Sequence, residues 1–286
     1  MKIKYILKYS ISLIWFNLKD LLAENGRRSC IWDKPGLGYS DYLYTDMKNY
    51  SHIYNNMIRA INEKPPYILV GWSTGGQIIY DYAFNYPEMV HSLVFLDVYP
   101  VEIDLKIASI LNNWTQSQFN HFRADEFNAK KSKLNEINAF RVPFNFMHYF
   151  YENIDRYSDE INWHYSNEKP WSTARFFLSF VQNEPDIFES IKINSSIPVN
   201  LIVTYRTDEQ IINEICLPKH YQANSSECLR EINSNKLYTF EKEKLVNLSS
   251  NGQVIRCDLN DCKDHSRYLI DAGANFTTNK LINLYA

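Results

Sequence analysis

One serine in this sequence has the surroundings of a nucleophile. The segment Gly71–Gly75 reads G-W-S-T-G and places Ser73 between two glycines. The apolar run Tyr67–Val70 precedes it, and a stretch with helical spacing, Gly76–Asn85, follows it. A hydroxyl on a tight strand-to-helix turn stands clear of the sheet, and the positive end of the next helix faces an oxyanion formed there. The pattern predicts that Ser73 attacks a carbonyl carbon; the alternative is a glycine-rich turn without chemistry.

The elements around Ser73 alternate between strand and helix patterns. The predicted elements are a helix over 10–22, a strand over 29–32, a helix capped by Asp46, a strand over 67–70, a helix over 76–85, strands over 93–96, 199–204 and 254–256, and a last helix over 278–285. This alternation implies an α/β fold with a mostly parallel sheet flanked by helices. Short, wholly apolar strands indicate burial on both faces of that sheet.

The middle of the chain has a different pattern. From Pro100 to Ser196 the strand signal disappears, and the sequence is helix-like and rich in aromatic residues. We therefore expect a core made of residues 1–99 and 197–286, with a helical cap over 100–196. Aromatic side chains of the cap, and Trp72 beside the serine, are candidates for binding an apolar substrate group; the alternative is that the cap aromatics pack its own core. The cap aromatics are Trp114, Phe119, Phe122, Phe144, Phe146, Tyr149, Trp163, Trp171 and Phe176.

Two further segments resemble a known family. Residues 30–40, C-I-W-D-K-P-G-L-G-Y-S, resemble the D-[RK]-x-G-x-G-x-S turn of the α/β-hydrolase superfamily, and residues 86–97 resemble its Y-P-E-x-V-x-x-L-V-L-x-D stretch. With the G-x-S-x-G turn, the resemblance covers Gly26 to Tyr99 well and the last quarter loosely. It implies the α/β-hydrolase fold and a serine hydrolase that needs no cofactor or metal, but such motifs do not name a substrate.

The resemblance also suggests an acid and a base. In this superfamily the catalytic triad runs in the order serine, acid, histidine. Residues 198–208 are similar to the strand and turn that carry the acid, which makes Asp208 the preferred acid; Asp97, at the end of the preceding strand, is the alternative acid. His265 follows the last predicted strand and is the expected base. Its imidazole would take the proton of Ser73 and return it to the leaving group.

The oxyanion hole is the weakest part of this assignment. The Thr74 N–H, directly after the serine, is the expected first donor. In the superfamily a second donor follows an earlier strand, for which only Met1–Tyr9 is available, without a glycine to turn the backbone. We expect one strand there and an N-terminal part shortened relative to the family. Loss of one donor typically costs about 2.7–4 kcal/mol of transition-state stabilisation, which predicts a slow enzyme.

The cysteines and glycosylation motifs do not determine in which cellular compartment the protein is located. Cys30 stands alone, whereas four cysteines in the last quarter could form two disulfides or remain free thiols. These four are Cys216, Cys228, Cys257 and Cys262, and six Asn-x-Ser/Thr motifs lie at Asn49, Asn113, Asn194, Asn224, Asn247 and Asn275. Both features hint at the secretory pathway, but neither a clear signal peptide nor an apolar run of membrane-spanning length is present. Oligomeric state is not predicted.

Two functions are consistent with these residues. The 286-residue chain is 45% hydrophobic, which is typical of a globular protein, and its net charge of −3 gives no reason to expect a nucleic-acid partner. The first hypothesis is a serine hydrolase that cleaves an ester-like or amide-like bond of a small, lipophilic substrate through an acyl-enzyme. The second is a catalytically impaired or truncated family member that acts as a binding protein.

Overall fold

The computed structural model describes most residues of the N-terminal and C-terminal parts of the chain and fewer residues of the part between them. The described residues are 2–6, 12–42, 50–98, 100, 103–122, 124–125, 128–129, 132, 158–165, 167–173, 187–258, 262, 267–269 and 271–285.

Six strands form one parallel sheet in the order β2-β1-β3-β4-β5-β6. The strands are β1 Lys2–Ile6, β2 Ser29–Cys30, β3 Tyr67–Trp72, β4 Val90–Leu96, β5 Val199–Thr204 and β6 Gly252–Cys257. All carboxyl ends therefore meet at one edge of the sheet, where side chains from different strands can come together. The predicted α/β class with a parallel sheet is confirmed.

The described helices surround this sheet and fill the crossovers between its strands. The helices are α1 Phe16–Glu24, α2 Tyr50–Ala60, α3 Gly75–Asn85, α4 Ile103–Asn112, α5 Ser158–Tyr165, α6 Ile187–Ser190, α7 Asp208–Ile211, α8 Ser226–Glu243 and α9 Asp271–Leu284. Short 3-10 turns occupy Ser12–Trp15, Pro87–Met89, Lys244–Leu248 and Arg267–Leu269, and a π-turn occupies Ile212–Cys216.

Both faces of the sheet are buried at its central strands β3, β4 and β5, as their apolar sequences predicted. Every residue of β3 is buried. Ile68 and Val70 pack on one side with residues of α1 and α9, while Tyr67 and Leu69 pack on the other with residues of α2 and α3. Successive side chains of a strand point to opposite faces, so one short strand contributes to two cores.

The predicted elements agree with the structure in position, with differences in length. The strand predicted over 199–204 has these bounds in the structure, whereas the one predicted over 29–32 is limited to Ser29–Cys30. The last helix begins at Asp271, earlier than predicted. Helix α8 was not predicted at all. The predicted helix cap at Asp46 lies outside the described residues.

Parts of the insertion between β4 and β5 contact the core. Among the described residues of 100–196 the regular elements are helices. Lys169 Nζ donates to the carbonyls of Gly38 and Ser40 at 2.6 and 3.1 Å, and Thr173 Oγ1 donates to Gly36 O at 3.0 Å. These bonds attach the insertion to the turn over residues 33–40, which runs between β2 and α2. Its role as a cap stays a prediction.

Two disulfides link the late cysteines. Cys216 is bonded to Cys228, and Cys257 is bonded to Cys262, while Cys30 is a free thiol. Of the two alternatives left open by the sequence, disulfides or free thiols, the four cysteines therefore form disulfides. None of the described helices has the length and apolar character needed to span a membrane.

Candidate functional site

Ser73 lies on the turn that joins β3 to α3. Its backbone has a positive φ of 54°, which is uncommon for a residue with a side chain. The Ser73 N–H donates to Leu96 O at 3.0 Å and extends the β3–β4 ladder by one bond, and the side chain is buried. Strained conformations of this kind cost about 1–3 kcal/mol and cluster at functional sites. The predicted strand, turn and helix around Ser73 are present.

The two nearby glycines allow this turn to be tight. A Cβ on Gly71 would lie 2.7 Å from the carbonyl carbon and oxygen of Gly75, where the chain crosses over itself. A Cβ on Gly76 would lie 2.3 Å from Cγ2 of Val98, where α3 packs against the chain after β4. Real Cβ atoms do not approach this closely, so both positions require glycine for packing. This requirement holds whether or not the turn performs chemistry.

Asp97 lies beside Ser73 at the edge of the sheet. The register pairs Trp72 with Leu96, so the next residues on the two strands are Ser73 and Asp97, and adjacent strands are about 4.8 Å apart. Asp97 also has a positive φ, 43°, and its N–H donates to Ile202 O of β5 at 2.8 Å. Two neighbouring strands thus end in residues with left-handed backbone conformations.

The carboxylate of Asp97 forms a buried ion pair with Lys242 of α8. Lys242 Nζ lies 2.7 Å from Asp97 Oδ1, and only 12% and 8% of the two side chains are exposed. A buried pair gains from the low local dielectric but loses hydration on both charges. Removing one partner typically costs about 3–5 kcal/mol because the other charge is left uncompensated.

Asp208 has a different environment. It is the first residue of α7, four residues beyond the end of β5, and the Thr207 side chain caps that helix. Its Oδ2 lies 2.8 Å from Lys236 Nζ, and 54% of the Asp208 side chain is exposed. Asp208 lines a solvent-filled cleft of about 190 Å³ with Lys236 and Arg256, and neither Ser73 nor Asp97 lines that cleft. The described contacts do not bring Asp208 to the serine.

His265 lies outside the described residues, but the residues on both sides of it are described. Thr204, the last residue of β5, donates from Oγ1 to Cys262 O at 3.0 Å and forms a short hydrogen bond with the Tyr268 hydroxyl. The disulfide from Cys262 to Cys257 fixes the same segment to the end of β6. Cys262 and Tyr268, the described residues before and after His265, therefore both contact the carboxyl end of β5.

The negative charge of Asp97 also affects Tyr268, which follows His265 in the sequence. Tyr268 is fully buried, which raises the pKa of its hydroxyl well above the usual value, and the nearby negative charge of Asp97 raises that pKa further. Its hydroxyl therefore remains protonated at neutral pH. The interaction indicates that the 3-10 turn just after His265 is close to Asp97.

The remaining predicted site residues lie around the serine turn. Thr74 is the N-cap residue of α3 and is buried. Trp72 is 5% exposed and packs in the core with Val94 and Leu96, so the structure gives it a packing role, and substrate contact stays a prediction. Residues 7–11, which follow β1 and would carry a second oxyanion donor, lie outside the described residues. Within the described ranges no group of three or more potential ligand residues could hold a metal ion.

Lys242 is the residue of this region that the sequence did not reveal. It lies in the last turn of α8, a helix whose described residues include only three buried ones. An amphipathic pattern was therefore absent. The usable signal was the helix start, where Ser225 accepts a hydrogen bond from Cys228 N and Glu227 lies in the first turn.

Comparison with known proteins identifies the fold. Residues 9–146 match the family model described as the α/β hydrolase fold. No curated protein sequence matches the chain. A thermophilic esterase from Thermogutta terrifontis superimposes with a TM-score of 0.62 at 12% identity, covering 99% of this chain and 89% of the esterase.

Two further solved structures agree with this result. MenH from S. aureus has a TM-score of 0.64 at 10% identity, covering 99% of this chain and 92% of its own. The esterase RhEst1 from Rhodococcus sp. ECU1013 has a TM-score of 0.55 at 14% identity, covering 99% and 90%. The parallel sheet, the family match and these structures together show that the chain has the α/β-hydrolase fold.

Proposed function

We propose that the protein is a serine hydrolase that cleaves an ester-like or amide-like bond of a small, lipophilic substrate. The observation that carries this proposal is that Ser73, on a strained strand-to-helix turn, and the buried Asp97 directly follow two paired strands at the same edge of the sheet. Acyl transfer requires a nucleophile, a base within its reach and a group that orients the base, and we assign these roles to Ser73, His265 and Asp97. The solved structures of similar fold that are esterases agree with this chemistry.

In the proposed reaction His265 takes the proton of the Ser73 hydroxyl as Oγ attacks the carbonyl carbon. The carbonyl oxygen becomes an oxyanion, which the Thr74 N–H and the N-terminus of α3 stabilise. His265 then gives the proton to the leaving group, and the acyl group stays on Ser73. A water molecule, deprotonated by His265, attacks this ester, and His265 returns that proton to Ser73 Oγ as the acid is released.

We assign the acid to Asp97 in preference to Asp208. An acid in this role must lie close to the base and remain in a fixed orientation. Asp97 is buried and in register with Ser73, whereas Asp208 is half exposed and bonded to Lys236 at the surface. The contacts of Thr204 with Cys262 and Tyr268 support a position of His265 near the end of β5, which is adjacent to Asp97 in the sheet.

The substrate class rests on the proposed cap. Residues 100–196 leave the core directly after β4, whose carboxyl end lies at the edge of the sheet where Ser73 is located. Described aromatic side chains of this insertion include Trp114, stacked on Phe122 at 4.4 Å between ring centroids, and the exposed Trp163. An aromatic insertion that begins at this edge supports a lipophilic acyl or alkyl group as the part that is bound.

A fluorophosphonate probe tests the proposal, because it forms a covalent bond only with an activated serine. The native protein is expected to gain the mass of one phosphonyl group, located on the peptide that contains Ser73. Ser73→Ala should abolish this adduct, whereas the control Ser51→Ala, which changes a buried serine of α2, should retain it. A folded native protein that forms no adduct would refute the enzyme and favour the binding-protein alternative. p-Nitrophenyl esters of increasing chain length would then define the acyl preference.

A further inference from the structure

The environment of Lys242 is unusual for a lysine. Lysine is almost never buried unless its charge is paired, and here the ammonium group, on a side chain that is only 12% exposed, contacts the carboxylate of Asp97 at 2.7 Å. That acid is the one adjacent to the proposed nucleophile. The other described lysine–aspartate pair of α8, Lys236 with Asp208, lies at the surface.

The last turn of α8 is held in place on both sides of Lys242. Glu241 accepts from Lys106 of α4 at 2.9 Å and from Lys244 at 2.5 Å, and it is itself buried. The Tyr238 ring lies 6.0 Å from Lys242 Nζ. The ammonium group therefore projects from a fixed backbone, so its position relative to the sheet edge is well defined.

We infer that Lys242 is a positioning residue for the acid of the proposed triad, an inference that rests on the proposed function. By donating to Oδ1, Lys242 fixes the rotation of the Asp97 carboxylate, the group that orients the base in the proposed triad. A carboxylate has lone pairs on both oxygens, so it can accept from the lysine and from the imidazole N–H together. Lys242 acts only through Asp97 and does not contact the substrate.

The test compares rate constants of fluorophosphonate labelling in the full-length protein. Lys242→Met is expected to slow labelling by roughly 10- to 100-fold, the effect typical of partners that orient site ligands. Lys242→Arg, which keeps a charged donor, should recover most of the rate. The control Lys236→Met removes the matching lysine of the surface pair and should label within about threefold of the native rate.

A double variant separates positioning from folding. Asp97→Asn with Lys242→Met contains neither buried charge, so it avoids the uncompensated ammonium or carboxylate of the single changes. Once Asp97 is absent, the loss of Lys242 should slow labelling by less than about threefold relative to Asp97→Asn alone. Compared with the two single changes, this variant separates a role of Lys242 through Asp97 from an independent effect of Lys242.

The outcomes distinguish this inference from the proposed function. If the native protein is not labelled, or is labelled at a residue other than Ser73, the proposed serine-hydrolase function is refuted. Native labelling at Ser73 with an unchanged rate in folded Lys242→Met, or with multiplicative losses in the double variant, removes only the positioning role. A Lys242→Arg variant as slow as Lys242→Met would also contradict it.

Discussion

The carboxyl ends of β4 and β5 carry similar groups in different environments. Each strand is followed by an aspartate, and each aspartate is paired with a lysine of α8 at 2.7 or 2.8 Å. Asp97 directly follows its strand, in register with Ser73, and is buried, whereas Asp208 comes four residues after its strand and is half exposed. The two acids have the same chemistry and the same type of partner, so these features do not distinguish them. Their positions relative to the ends of the strands do.

The difference in burial also implies a difference in energy. An exposed pair such as Asp208–Lys236 typically contributes about 0–1 kcal/mol to stability, because water screens both charges. The Asp97–Lys242 pair is held in a medium of low dielectric, where losing one partner is costly. A lysine bonded to a buried carboxylate also restricts the rotation of that carboxylate. We therefore expect changes at the two sites to differ in activity as well as in stability.

The largest effect is expected for Asp97→Asn. The amide keeps the volume of the carboxylate but cannot stabilise an imidazolium and favours the wrong tautomer of the base, which typically lowers kcat by about 10⁴-fold. Steady-state hydrolysis of a p-nitrophenyl ester measures this loss, and thermal unfolding determines whether the variant is folded at the assay temperature. A folded variant that keeps more than about a tenth of the native kcat would remove Asp97 from the triad.

An intermediate effect is expected from the disulfide that precedes His265. Replacing Cys257 and Cys262 by serine releases the start of the segment that carries the proposed base. Misplacement of a catalytic group by about 1 Å can cost on the order of 100-fold, so we expect a 10- to 100-fold loss of ester hydrolysis.

The second disulfide provides a matched control for that experiment. Cys216 and Cys228 join the π-turn after α7 to the start of α8, away from the ends of β5 and β6 that hold the His265 segment. Serine at both positions should lower the unfolding temperature while the rate per folded molecule stays close to native. Equal losses of rate from the two double changes would show that stability alone explains the effect.

The smallest effect is expected for Asp208→Asn. The change removes one surface ion pair, so the free energy of unfolding should fall by no more than about 1 kcal/mol and ester hydrolysis by less than about threefold. Chemical denaturation and the same ester assay measure both quantities. A loss of 100-fold or more would restore Asp208 as the acid and reverse the comparison.

Much of the fold was predictable because its signals are local. Buried parallel strands are short apolar runs, and β3 and β5 were recognised by that feature alone. The turn at Ser73 was recognisable because glycine is required at Gly71 and Gly76 for close packing. Helix α8 was missed because most of its residues are polar and only three of them are buried. A hydrophobic pattern cannot reveal a helix held partly by ion pairs.

The site was less predictable because the choice of acid depends on tertiary contacts. Asp208 matched the position that family resemblance suggests, yet the sequence T-D-E-Q also forms a capping box, in which Thr207 and Gln210 bond reciprocally and Asp208 lies in the first turn of α7. Register at the sheet edge and the approach of Lys242 are not visible in the sequence. The role of His265 stays a prediction.

The most direct test of the central claim is the ratio of two labelling rates. Asp97→Asn and Asp208→Asn are treated side by side with the same fluorophosphonate, and the rate constant of adduct formation at Ser73 is measured by intact-protein mass spectrometry. This readout needs no knowledge of the natural substrate. We predict that Asp97→Asn labels at least 100-fold more slowly than Asp208→Asn; equal rates, or the opposite order, would contradict the assignment of Asp97 as the acid.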